Sequence, residues 1–125
     1  MSKLAKALTA AAGNAGGTLG YVEDVFSTYL YEGNNSTQAI NNGLDLDGEG
    51  GLVWIKERAG TGNEGHRLLD TERGPTKVLM SNNTGANYTI DGGFDSFTST
   101  GFTLKADNGW SINSASPATY ASWTF

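Results

Sequence analysis

Gly51–Arg58 reads GLVWIKER, and its centre, Leu52-Val53-Trp54-Ile55, is the clearest apolar spine in the chain. Four consecutive apolar residues are too few for a buried helix. Bounded by DGEGG (Asp47–Gly51) and AGTGNEG (Ala59–Gly65), they read as a strand buried on both faces, or nearly so. Working outward, the same grammar repeats. Val25–Tyr31 is β-branched and aromatic, and Thr37–Ile40 follows after the turn residues Asn34-Asn35. Downstream, His66–Leu69, Thr76–Met80, Tyr88–Ile90 and Phe97–Lys105 are each bounded by Gly, Asn, Ser or Pro. Asn108-Gly109 is a tight-turn pair, with Trp110–Ile112 expected as the strand after it. Pro117 marks a break before the last strand, Thr119–Phe125. Many short strands with frequent polar turns predict an all-β fold, a two-sheet sandwich or jelly roll.

The first 20 residues follow another pattern. Ser2–Ala12 is the one good helix candidate, with Ser2 as its cap and Gly13, Gly16 and Gly17 ending it. Leu4, Leu8, Ala11 and Ala12 fall on one face at helical spacing, which reads as a surface for attachment to a partner or to copies of the chain itself, with a frayed terminus as the competing reading. Gly13–Gly20 is a flexible linker. The expected organisation is therefore an anchor helix and Gly-rich linker over residues 1–20 and one β-sandwich domain over residues 21–125.

Composition narrows the function. Three Trp, five Tyr and five Phe in 125 residues supply a folded core, which a disordered chain would lack. The net charge of −5 gives no basic footprint, so nucleic acid is excluded as the expected partner. The acidity is local: residues 21–49 hold Glu23, Asp24, Glu32, Asp45, Asp47 and Glu49 and no Lys or Arg. The chain has no cysteine, hence no disulfide framework or thiolate metal site. Leu4–Ala12 is interrupted by Lys6 and Thr9, so it reads neither as a secretory signal nor as a membrane insert.

Candidate chemistry is sparse. His66 is the only histidine, too few for a triad or a histidine-rich metal site. Asp45, Asp47 and Glu49 alternate on a Gly-rich stretch and form a weak calcium candidate, with an acidic turn as the favoured reading. Asp70, Arg73, Gly74 and Pro75 read as a structural turn: Asp70 pins it, Arg73 pairs with Asp70, Gly74 supplies an unusual dihedral and Pro75 stiffens the exit. A catalytic reading would need Asp70 and Glu72 facing each other in a pocket. Trp54 and Trp123 lie in apolar strands and read as core. Trp110 follows a turn and reads as the exposed, ligand-facing candidate, with Asn63 and Asn83 on the loops Ala59–Gly65 and Ser81–Asn87. No cofactor is expected.

Four phrases occur in a fixed order: VWIKER (Val53–Arg58), DTERGPTKVLMSN (Asp70–Asn82), FTSTGFTL (Phe97–Leu104) and TYASWTF (Thr119–Phe125). From Tyr29 to Phe125 the chain resembles a β-rich module of tailed-bacteriophage virion proteins, common in tail fibres of marine and cyanobacterial phages. The resemblance implies a concanavalin-like sandwich without enzymatic activity. It implies a tail fibre or tail-associated adhesin, located in the virion tail and assembled in the host cytoplasm. The partners implied are other tail or virion proteins, further copies of the chain in a trimer, and a host surface receptor or glycan. A capsid decoration or knob protein and a carbohydrate-binding module are the alternatives. In that family the last phrase is typically followed by more chain. The expectation is thus an N-terminal part of a larger fibre protein or a shortened relative, with a short stand-alone cap as the competing reading.

Overall fold

The computed structural model describes residues 20–60, 62 and 64–125. The helix expected over Ser2–Ala12, with its attachment residues Leu4, Leu8, Ala11 and Ala12, lies outside the described residues, as does Asn63. Among the described residues, one short helical turn, α1 (Val22–Val25), leads into nine strands. These are β1 (Ser27–Glu32), β2 (Gln38–Asn41), β3 (Leu52–Ala59), β4 (Arg67–Asp70), β5 (Lys77–Val78), β6 (Tyr88–Thr89), β7 (Phe94–Thr98), β8 (Gly101–Leu104) and β9 (Thr119–Thr124). The fold is all-β.

Two antiparallel sheets make the two layers. One has the order β1-β9-β3-β4 and the other β2-β8-β7, while β5 and β6 form a small separate ladder. The final strand therefore sits in the middle of the larger sheet, paired with β1 on one side and β3 on the other. The core lies between the inner faces. Tyr31, Val53, Ile55, Leu69 and Tyr120 from the larger sheet meet Ile40, Phe94, Phe102 and Leu104 from the smaller one. Each such side chain, fully buried, stabilises the fold by about 1.5–3 kcal/mol. Ring pairs reinforce the centre: Tyr31 stacks on Tyr120 at 5.0 Å, and Phe94 on Phe102 at 5.4 Å.

The apolar spine resolves into an alternation. Val53, Ile55 and Glu57 point inward, so Leu52, Trp54 and Lys56 must point to the other face of the sheet. Trp54 pairs with Trp123 across the β3–β9 ladder, and both indoles are half-buried on the outer face. They are not core residues, contrary to the sequence reading. Apolar character at successive positions signalled a coated outer face here, not burial between two layers.

Two further expectations are corrected. Phe97–Lys105 is not one strand: Ser99-Thr100 turns the chain, so β7 and β8 form a hairpin. Trp110–Ile112 is not a strand either. Ser111 adopts a φ of 52°, and the segment runs as an irregular loop.

That loop is held by a set of buried polar groups. The Asp107 carboxylate accepts hydrogen bonds from the N–H groups of Trp110 (2.7 Å), Ile112 (2.7 Å) and Asn113 (2.8 Å) and from the Ser114 hydroxyl (3.1 Å). Tyr31 donates its hydroxyl to the Ile112 carbonyl at 2.7 Å, and the Tyr120 hydroxyl accepts from the Ser114 N–H at 3.0 Å. Burial pushes the Tyr31 hydroxyl well above the ordinary tyrosine range, aided by Tyr120 and the negative charge of Asp107. For Asp107 burial also acts upward. The N–H donors of Asn113, Ile112 and Trp110 outweigh it and hold the carboxyl below its usual range.

Asp107→Ala is expected to lose about 3 kcal/mol at neutral pH, because three backbone donors are left without their charged acceptor. A depressed folded-state pKa contributes stability above the unfolded value of about 3.9, lost as pH falls through the folded value. Urea unfolding should therefore show the gap between variant and parent narrowing as pH falls below about 4. A gap that stays constant through that range would contradict the assignment.

Candidate functional site

Among the described residues, two neighbouring pockets share Phe125 as a wall and together make an apolar groove. It begins where α1 meets β1 and where the chain closes at Phe125. Phe26 packs on Phe125 at 5.1 Å between ring centres. On one side of Phe125 the groove is lined by Phe26, Trp54, His66 and Trp123. On the other it runs between Val25, Leu44, Leu46 and Gly50, with Asp24, Asp45 and Glu49 at its rim. Val25 is 67% exposed and Phe125 50%, so the apolar walls stand open. The apolar surface continues over the outer sheet face to Leu68, which pairs with Trp54 and bridges to the exposed Leu79.

Local geometry fixes the aromatic end. Trp54 meets Trp123 at 5.9 Å and 67°, and meets His66 at 5.4 Å and 68°. Its indole N–H donates to His66 Nδ1 at 2.8 Å. With that hydrogen bond made inside the wall, the groove presents mostly carbon. Two indoles at 67° offer no flat platform, and a sugar ring would find few partners for its hydroxyls. The chemistry suits an apolar side-chain stripe from a polypeptide.

The other sequence-predicted residues fall elsewhere. Trp110 is half-buried, packs against the core and tilts over Tyr88 at 6.2 Å. Its carbonyl accepts from Arg67 Nε at 2.8 Å. Asn83 is exposed and caps its own turn, accepting from the Gly85 N–H at 3.0 Å. Asp70 accepts from Arg73 twice, at the backbone N–H (2.8 Å) and at Nε (2.6 Å). Gly74 sits at φ 86° and donates to the Asp70 carbonyl at 3.0 Å, while Pro75 follows outside any strand. Burial tends to raise the Asp70 pKa, but its bonds to Arg73 and that residue's charge bring it below the ordinary range. Glu72 is exposed, so it and Asp70 do not form a facing carboxylate pair.

Asp45 accepts from the Gly48 N–H at 2.7 Å, which makes this stretch a closed acidic turn. Among the described residues, no three His, Asp or Glu side chains converge as metal ligands. Among the described residues, two buried polar atoms lack partners, Glu57 Oε1 and Arg73 Nη1, and neither residue lines the groove. No described helix is long and apolar enough to cross a membrane.

The groove was missed in the sequence because its walls come from four places: residues 24–26, 44–50, 54–66 and 123–125. The one available signal was the wording of GLVWIKER and TYASWTF, whose tryptophans share a register only after β9 inserts beside β3.

Fold and groove together define a small all-β domain with an exposed apolar groove. A family model, the domain of unknown function DUF7483, matches residues 22–125, and the chain belongs to this family. No curated protein and no solved structure matches the chain.

Proposed function

We propose that the chain is a non-enzymatic structural protein of a tailed-phage virion, a tail fibre or tail-associated adhesin. Its sandwich is the scaffold and its N-terminal region is the attachment point. The observation carrying this reading is where the four phage-like phrases fall. VWIKER is the inner strand β3, and TYASWTF is β9, which closes the sheet. DTERGPTKVLMSN is the Asp70–Arg73 turn with β5, and FTSTGFTL spans the β7–β8 hairpin. The four phrases thus fall on strands and turns of the frame, which supports a scaffold role.

In this role the chain works beside other tail proteins and in repeated copies. Trimeric display converts weak receptor contacts into avidity. Immunogold labelling of particles from a phage lysate, with antibody raised against residues 21–125, tests the proposal. Gold on the tail or its fibres is the expected result. Gold over the capsid would move the assignment to a decoration protein, and unlabelled particles with an accessible epitope would remove both virion roles.

A further inference from the structure

The final strand fills the middle of the larger sheet, so β1 and β4 are its edges. The β4 edge is closed: Leu68 and Leu79 each donate an N–H to the other's carbonyl at 2.9 Å. The β1 edge is open. Gly33 donates to the Ala118 carbonyl at 2.9 Å, in the register that pairs Tyr31 with Tyr120 and Tyr29 with Ser122. Alternate residues of an antiparallel strand face a given neighbour. Ser27, Tyr29 and Tyr31 therefore turn their N–H and C=O groups toward β9, and Thr28, Leu30 and Glu32 turn theirs away from it. Of those outward groups, the Glu32 carbonyl accepts from Gln38 Nε2 at 3.1 Å, and among the described residues the rest have no partner.

Nothing in β1 guards this edge. STYLYE holds no Pro or Lys, and its ladder has no bulge, the usual devices against edge pairing. In the smaller sheet, by contrast, the edge strand β7 carries a register shift between Phe94 and Ser96, and β2 has only four residues. Leu30 stands in the middle of the open stretch, 59% exposed. We infer that β1 pairs antiparallel with β1 of a second copy of this chain, across a two-fold axis at Leu30, and joins the two larger sheets edge to edge.

A second copy is the occupant that the strand's own chemistry fits. Outward-facing groups meet only outward-facing groups, so even-numbered residues must stand opposite even-numbered ones. With the axis at Leu30, each Leu30 N–H donates to the Leu30 carbonyl of the other copy, and each Glu32 N–H to the other's Thr28 carbonyl. The two Leu30 side chains then cover each other on the outer face. Charge selects the direction. Residues 21–49 carry carboxylates and no Lys or Arg, so an in-register parallel pair would set Glu32 on Glu32. The antiparallel pair sets Glu32 opposite Thr28. It also directs Glu23 and Asp24 of one copy toward residues 33–41 of the other, which carry no charge. The contact needs only this chain, so it stands apart from the virion role.

The absence of cysteine lets single cysteines in the full-length chain report the register under oxidised glutathione. Opposed residues in such a pair have Cα atoms about 5.5 Å apart, within disulfide reach. Leu30→Cys is expected to link to itself about tenfold faster than Thr28→Cys, whose two copies stand about 13 Å apart along the strands. Thr28→Cys mixed with Glu32→Cys should link as a mixed dimer. Sedimentation should show the parent as a dimer, and Leu30→Lys should weaken the dimer at least about tenfold with its urea midpoint unchanged. Equal linking of Leu30→Cys and Thr28→Cys would overturn the inference. So would a parent that stays monomeric up to millimolar concentration, or an assembly of any size indifferent to Leu30→Lys.

Discussion

Asn113→Asp is expected to destabilise the domain by about 4 kcal/mol, a large part of the roughly 5–15 kcal/mol that holds a domain folded. Asn113 has no solvent exposure. Its Nδ2 donates to the carbonyls of Ser36 (2.7 Å) and Lys105 (2.9 Å) and approaches Asn34 Oδ1 at 3.2 Å. Its Oδ1 accepts from the Asn34 N–H at 3.1 Å and Gln38 Nε2 at 3.4 Å. One side chain thereby joins the loop after β1, the end of β8 and the loop before β9.

Asp has the same shape with no protons to give. It would set an ionised oxygen against three acceptors, and buried charge without a partner is among the most destabilising changes known. Asn113→Ala removes the bonds without adding charge and should cost less, about 2–3 kcal/mol. Asn87→Asp, on an exposed loop, should stay within about 0.5 kcal/mol of the parent. Urea unfolding followed by tryptophan fluorescence ranks the three. If Asp at 113 proved no worse than Ala, the amide donors would not be what holds these loops.

Much of the frame was legible because it is written locally. Gly, Asn and Pro punctuation located most turns, and the first and last strands came within about two residues of their bounds. Failures occurred where a long-range partner decided the outcome. Asn108-Gly109 looked like a hairpin turn, yet Asp107 gathers the following N–H groups to itself and stops a strand from forming. Nothing near Asn113 announces Asn34, 79 positions away. The tryptophans misled for a related reason. A strand's two faces are distinguishable only when one of them is polar, and in LVWI neither is. Which face is inner depends on Val53 pairing with Leu69 and Ile55 with Arg67, whose side chains are buried on the same face. The groove needed the same tertiary information, as no single segment supplies more than two of its aromatic walls.

Gly101→Ala is expected to be comparably damaging, at about 4 kcal/mol or more, and to reach the groove as well. Gly101 opens β8 with a φ of 147°, a region L side chains rarely adopt. A Cβ there would stand 2.0 Å from the Ile40 carbonyl oxygen and 3.1 Å from the Asn42 backbone nitrogen. Both are main-chain atoms of β2 and its continuation, so a rotamer change cannot relieve the clash and the strands must part. Gly43→Ala is the control. Its φ of 88° is also left-handed, but no atom lies within 4 Å, so only the dihedral penalty of about 1–2 kcal/mol applies. A difference of about 2 kcal/mol or more between the two in urea separates close approach from backbone strain. The effect should propagate along the hairpin. Thr100 accepts from the Gly43 N–H at 3.1 Å and Thr98 from the Leu46 N–H at 3.0 Å, which ties the β7–β8 turn to the segment carrying Leu44, Asp45 and Leu46. Those residues wall the acidic end of the groove. Gly101→Ala should therefore speed amide hydrogen exchange at Gly43 and Leu46 even at temperatures where the sandwich remains folded. Unchanged exchange there in a measurably destabilised Gly101→Ala protein would mean that this wall of the groove is held by α1 and the larger sheet alone.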